Sequence, residues 1–241
     1  MQNRPSVWNG IPVPYGATVD ELAQLIHGPG PARWAAFVAV AHTADESALA
    51  LLQDSARSPH PNVRRIAVEA IGIHPQGARL ASAIRTLLTD PSPVVVRSAC
   101  EAAARQRVVD AHDRMVELLD DRDDSTRAAA VQALRDLWRD ADLARVLRAF
   151  SSDASVEVRK EAAWTLRSAA SPSNWHELFA VWHADSMPRY RQWACELAAA
   201  FGNGGVVPDL HRLTGDPDGH VRNHAVGALR ALEKGRFPDN H

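Results

Sequence analysis

Apolar residues recur along this chain at helical rather than strand spacing, and they recur in phase with an arginine. Aligned on that arginine, the chain shows seven registers, at Arg33, Arg64, Arg97, Arg127, Arg159, Arg191 and Arg222, separated by 31, 33, 30, 32, 32 and 31 residues. Three residues later stand Ala36, Ala67, Cys100, Ala130, Ala162, Ala194 and Ala225, and seven later Val40, Ile71, Ala104, Leu134, Leu166, Ala198 and Leu229. At about 100° per residue, the positions one before and three, six, seven and ten after the arginine share one arc of a helix. Each arginine therefore marks a helix with a buried stripe. The alanines on that stripe predict close approach of neighbouring helices.

Turn chemistry precedes each of these helices, for example Pro59-His60-Pro61, Asp90-Pro91-Ser92-Pro93 and Asp216-Pro217-Asp218-Gly219, supplying N-caps and prolines suited to a first turn. Between one such helix and the next turn lies a second amphipathic segment, such as ARLASAIRTLL, AHDRMVELL, LARVLRAF or WHELFAVW. Each unit is thus two helices. A pair of this size cannot bury its apolar faces alone, so neighbours must stack into a shared core. The expectation is an all-α protein, an α-solenoid of about seven two-helix repeats, with fourteen helices in one curved rod. The repeats are expected at 18–44, 45–74, 75–107, 108–139, 140–170, 171–203 and 204–233, between an extended N-terminal cap or arm (1–17) and a tail (234–241).

The phrase Asp-Pro-x-x-x-Val-Arg-x-x-Ala-x-x-Ala-Leu, seen at Asp90 and Asp216, resembles the HEAT repeat in its short, phycobilisome-lyase-type form. The resemblance spans roughly 18–232. It implies that the second helix of each pair lines a concave side, and that arginine and aspartate form a ladder between repeats. By position, the seven arginines named above are the ladder arginines, with Asp90, Asp153, Asp185 and Asp216 as acidic partners. The first two repeats depart from the pattern, with Gly28-Pro29 and Ser58-Pro59 where the aspartate belongs. Ankyrin and tetratricopeptide repeats have similar periods, but their Thr-Pro-Leu-His and Trp-x-x-Leu-Gly signatures are absent.

Composition agrees with an all-α reading. Ala, Leu and Val drive the 46% hydrophobic content, while 2 Tyr and 5 Phe leave little of the aromatic character of strands. A net charge of -2 gives the whole chain no pull toward nucleic acid or anionic membrane, so such binding would need a local patch. Cys100 and Cys195 lie apart in apolar helical contexts without metal-ligand spacing, as small buried residues of a reducing compartment. The N-terminus lacks the basic and apolar regions of a secretory leader, and the longest apolar run, 34–41, is too short to span a bilayer. A cytoplasmic protein is expected.

Function is expected on the concave side, as a non-catalytic scaffold that binds a protein partner. Counted by helix set, the second helices are net positive and the first helices with their turns net negative, but the positive surplus equals the number of ladder arginines, so structural pairing accounts for it and the rest of that face balances to zero. Beyond the ladder, Arg105, Arg135, Arg167 and Arg230 form a second arginine row eight residues on, with Trp164 between two of them, a hot-spot composition. Gln132, Lys160, Gln192 and Glu196 complete the concave candidates. Local pairing offers a plain alternative, since Glu101 lies four before Arg105 and Glu233 three after Arg230. Among the 7 tryptophans, Trp175 and Trp182 read as core, Trp138 and Trp193 as core or surface, and Trp8 as a cap over the first repeat or a partner-binding arm.

Catalytic readings find less support. The di-iron hydroxylases that resemble this fold need several His-Glu pairs, and only His176-Glu177 forms one. His220 and His224 share a helix face, yet no third metal ligand is placed with them. The alternative function is a lyase-type or DNA-glycosylase-type enzyme acting in the concave cleft, with Trp138 beside Asp136 or Asp140, or Trp164, as its residues. No metal or cofactor is expected.

Overall fold

The computed structural model describes residues 7–235 apart from 9 and 29. Among them, fourteen α-helices run in pairs along the chain. The first helices are α1 (Val19–His27), α3 (Glu46–Ser55), α5 (Ala81–Leu87), α7 (His112–Leu118), α9 (Leu143–Ser152), α11 (Trp175–Trp182) and α13 (Val207–Leu213). The second helices are α2 (Ala32–Ala41), α4 (Pro61–Ile73), α6 (Pro93–Arg105), α8 (Asp124–Leu134), α10 (Val156–Ser168), α12 (Pro188–Phe201) and α14 (Gly219–Gly235). The fold is an all-α solenoid of two-helix repeats. The chain divides into two compact units, Met1–Thr165 and Leu166–His241.

Within the first unit α2 packs on α4, α4 on α6 and α6 on α8, and within the second α12 packs on α14; α1, α3, α5, α7, α11 and α13 each pack on the second helix that follows. Ala67, Ala99, Ala130, Ala162, Ala194 and Ala225 are wholly buried, and side chains this small permit a close approach of packed helices. The starts are built as the turn chemistry predicts. Pro61, Pro93 and Pro188 open α4, α6 and α12, where a missing N–H is no loss, and Asp123 accepts the Thr126 N–H at 2.7 Å before α8.

Four first helices depart from the expected continuous segments. Residues 77–80, 109–111, 140–142 and 204–206 form 3-10 turns ahead of α5, α7, α9 and α13. A tight turn swings the incoming chain onto the preceding second helix before the α-helix begins. The first of them explains Gly77. A Cβ there would overlap the Ile71 carbonyl oxygen and press on the Gln106 amide at 2.7 Å. That amide Nε2 donates to the carbonyls of Ile71, Gly72 and His74 at 3.1, 2.9 and 3.0 Å, closing the end of α4. Gly77→Ala is expected to destabilise the first unit by about 1–3 kcal/mol; a urea melt followed by circular dichroism measures it, and an unchanged midpoint would refute the crowding.

At the N-terminus a two-residue ladder, β1 (Val7–Trp8) with β2 (Ile11–Pro12), turns through Gly10 at φ +81 and lies on α2. The packing expected of the Trp8 side chain falls outside the described residues. At the other end α14 continues through the expected tail boundary to residue 235, and residues 236–241 lie outside the described residues. No helix among the described residues is long and apolar enough to cross a membrane.

Candidate functional site

The arginine–aspartate ladder decides which side chains remain for function. Arg64 grips Asp90 through Nε and Nη2 at 2.6 and 2.8 Å; Arg127 grips Asp153 at 2.8 and 2.8 Å, and Arg191 grips Asp216 at 2.7 and 2.8 Å. The third terminus, Nη1, donates to carbonyls six and five residues earlier, Ser58 and Pro59, Asp121 and Arg122, Asp185 and Ser186. Arg159 and Arg222 make the same backbone bonds, to Asp153 and Ala154 and to Asp216 and Pro217. Arg33 donates to Gly28 O at 2.5 Å.

Each ladder aspartate also turns an oxygen to the N–H two residues on, Asp90 to Ser92, Asp153 to Ser155 and Asp216 to Asp218, and Asp185 does so to Met187. Burial alone would raise the Asp90 carboxyl, but the Arg64 bonds, the Ser92 N–H and the Arg64 charge together hold it below its ordinary value. Hydrogen bonds from Arg127 and Arg191 hold Asp153 and Asp216 below theirs, against the opposing effect of burial.

Arg97 is a correction to the expected ladder. Every other second helix from α4 onward carries its ladder arginine three residues after the first helical residue, whereas Arg97 comes four after Pro93. Val96, 6% exposed, holds the ladder position of α6, and Val95 and Ala99 align with the stripe. Arg97 is turned about 100° further round, out of the ladder. Arg105 consequently stands nine rather than eight past the ladder position. Asp121, not singled out from sequence, takes the aspartate's place before α8, with Oδ1 on the Asp123 N–H at 2.9 Å.

What lies on the second helices of the first unit is a groove of about 390 Å³ crossing α4, α6, α8 and α10. Arg65, Arg97, Gln132 and five carboxylates, Glu69, Glu101, Asp124, Glu157 and Glu161, line it. The expected positive character is therefore corrected here: acids outnumber bases. The reason is positional, since the ladder arginines spend their charge on aspartates and carbonyls away from this face. Several groove charges are paired, Glu69 with Arg65 at 2.6 Å and with the Ser98 hydroxyl at 2.8 Å, Glu101 with Arg105 at 3.5 Å, and Glu157 with Lys160 at 3.5 Å.

Arg97 and Glu161 have neither hydrogen bond nor ion pair among the described residues. Burial pushes the Glu161 carboxyl up from its ordinary value, Arg135 draws it partly back, and Glu157 adds to the rise. Trp164, one turn further along α10, is 46% exposed. A second hollow of about 290 Å³ is lined by Trp34, Phe37, Val38, Ile66 and Ile73, and it shares Glu69 and Glu101 with the groove.

In the second unit, Arg167 donates to Glu196 at 2.7 Å and Gln192 to the same carboxylate at 2.9 Å, with His224 3.7 Å away. Arg167 is thus held by a carboxylate, not open for a partner. Arg230 is exposed. Trp175, Trp182 and Trp193 are buried, and Trp138 is half-buried. His176 meets Glu177 at 3.0 Å on the surface of α11. Burial pushes the Cys100 and Cys195 thiols up to about 12, which leaves them protonated.

Sequence reasoning missed His112. It is 5% exposed, with Nε2 2.9 Å from Asp142 and Nδ1 3.1 Å from Asp113, tying α7 to the turn before α9. A histidine opening a short helix carries no periodic signal that would have found it.

The family model described as HEAT repeats matches residues 19–105, 57–135 and 113–186. No curated protein matches the sequence. The chain is similar in structure to an engineered protein of known crystal structure, at 18% identity and TM-score 0.61 over 89% of this chain and 68% of that one. It is equally similar to Escherichia coli YibA, at 16% identity and TM-score 0.61 over 91% of this chain and 94% of that one. The likeness to the CpcE–CpcF complex of phycocyanin lyase from Nostoc sp. PCC7120 is looser, at 15% identity and TM-score 0.45 over 90% and 81%. At these identities the likenesses bear on the fold alone.

Proposed function

The chain belongs to the HEAT-repeat family, and from that premise we propose that it is a non-catalytic scaffold whose second helices hold a segment of a protein partner. The observation that carries this reading is the groove across α4, α6, α8 and α10, which continues through Glu69 and Glu101 into the apolar hollow at Trp34, Phe37 and Ile73. Such a surface fits an extended segment better than a small molecule: it is long, crosses several repeats, and sets an apolar anchor site beside polar side chains. The surplus of carboxylates favours cationic side chains on the partner and repels the phosphates of nucleic acid.

The expectation is that Glu161→Lys with Trp164→Ala leaves helicity and melting unchanged, because both side chains lie outside the core. Loss of a central hot spot lowers affinity by roughly 30-fold or more, so capture of the partner from a native lysate disappears. Undiminished capture by the double variant would sink the reading, and capture abolished by nuclease would assign the groove to nucleic acid.

Glu161 supports a second, enzymatic reading of the same groove. A carboxyl raised by burial, one turn from Trp164, has the character of a general acid. The discriminating result is loss of a turnover activity in Glu161→Gln while binding persists. Equal binding and no activity in either form favours the scaffold.

A further inference from the structure

The second helices agree on which positions are sealed. Four residues after the ladder position stand Val68, Cys100, Val131, Ala163 and Cys195, and seven after it Ile71, Ala103, Leu134, Leu166 and Ala198, all at 0% exposure. In α14 the same two positions are Val226, 37% exposed, and Leu229, partly exposed. Arg222 repeats the message in charge. Its Nη1 is fixed by the Asp216 and Pro217 carbonyls at 2.6 and 3.1 Å, as in the other ladder arginines. Its Nε and Nη2, the pair that grips a carboxylate in Arg64, Arg127 and Arg191, hold none among the described residues, as is also true of Arg159, whose helix differs in having both stripe positions sealed. The fork is already aimed, and what fits it is an incoming carboxylate.

Glu233 stands eleven residues after Arg222, exposed and without an ion pair among the described residues. Arg222, Val226, Leu229 and Glu233 are spaced four, three and four, which places them on one narrow stripe, the spacing of a seam between paired helices. The stripe is self-complementary: read backwards, base, apolar, apolar, acid becomes acid, apolar, apolar, base. A two-fold axis needs that property, because the same patch must serve both sides of an isologous contact.

We propose that α14 is a self-association face, on which two copies of the chain pair antiparallel. Arg222 meets Glu233 of the partner subunit, and Val226 packs on the partner's Leu229. The contact does not involve the groove and does not depend on the function proposed for it. Two helices meeting over about three turns bury less than the roughly 1,200–2,000 Å² of a stable complex, so the dimer is weak and reversible.

Sedimentation equilibrium of the full chain over about a hundredfold range of concentration tests this, with a monomer–dimer equilibrium as the expected result. R222E alone and E233R alone should each weaken association about tenfold or more, and the R222E/E233R double variant should restore it. If Arg222→Glu disturbs the repeat by losing its two carbonyl bonds, Val226→Asp tests the same seam without touching them and should also give a monomer. A chain that is monomeric throughout, or a dimer whose constant ignores all four variants, overturns the proposal. So does a monomer whose α14 loses hydrogen-exchange protection when residues 236–241 are removed, since that assigns the face to the chain's own tail.

Discussion

Trp182→Ala is expected to lower the stability of the second unit by about 3–5 kcal/mol, since it removes a large aromatic side chain that is wholly buried. Trp182 closes α11 against α12, its ring stacked on Tyr190 at 6.4 Å between centroids and edge-on to Trp193 at 5.5 Å. On the same helix, Trp175 meets Phe179 at 6.3 Å and Phe179 stacks on His183 at 5.1 Å. Urea unfolding followed by circular dichroism measures the loss. Trp182→Phe, which keeps a ring in place, should lose less than half as much, and a Trp182→Ala change below about 1 kcal/mol would mean that the unit collapses around the gap.

Asp153→Ala is expected to cost about 3–5 kcal/mol, because it strands Arg127 with its fork empty. The Arg127 and Asp153 side chains are 15% and 10% exposed, and both oxygens of the carboxylate accept from the guanidinium. The surface pair Arg57–Asp54, 68% and 76% exposed, is the control, and Asp54→Ala should change stability by less than about 1 kcal/mol. Acid supplies the matching test. Asp90, Asp153 and Asp216 all titrate lower in the folded chain than in the unfolded one, where an aspartate titrates near about 3.9. Their contribution is therefore complete above that value and is lost as pH falls through it toward their lower folded values. Wild-type stability should drop steeply below about pH 4, and Asp153→Asn should flatten that slope by one aspartate's share. Equal slopes would show that Asp153 is not linked to folding.

The groove was legible only in part. Of the concave candidates Gln132 lines it, while Lys160, Trp164, Gln192 and Glu196 stand on second helices but not in its lining; a residue's place on its own helix is a local property, and its place in a groove is not. The charge of the face was legible only as far as a positive surplus equal to the number of ladder arginines, which points to pairing; the gathering of five carboxylates in one groove was not, since a sum over a helix does not say where each charge faces. Arg97 shows the limit most clearly. In α6, Val95, Val96, Ala99, Cys100, Ala103 and Ala104 are all buried, so the apolar stripe is wide enough to accept a shift of one residue. The arginine in DPSPVVVRSAC looks like the ladder residue from sequence, yet it lines the groove.

Sequence by itself determined the helices, their pairing, their near-constant period and the alanine stripe, because these rest on hydrogen bonds and side-chain spacing within a few turns of one chain. Only the tertiary structure decided which arginines find a carboxylate 25 or 26 residues away, that Val96 stands in the ladder where Arg97 was expected, and that Arg222 finds none among the described residues. Those outcomes depend on how neighbouring repeats sit against each other. A rotation of about 100° about one helix axis, invisible in a pattern of apolar letters, moves a charge from a buried pair to an open groove.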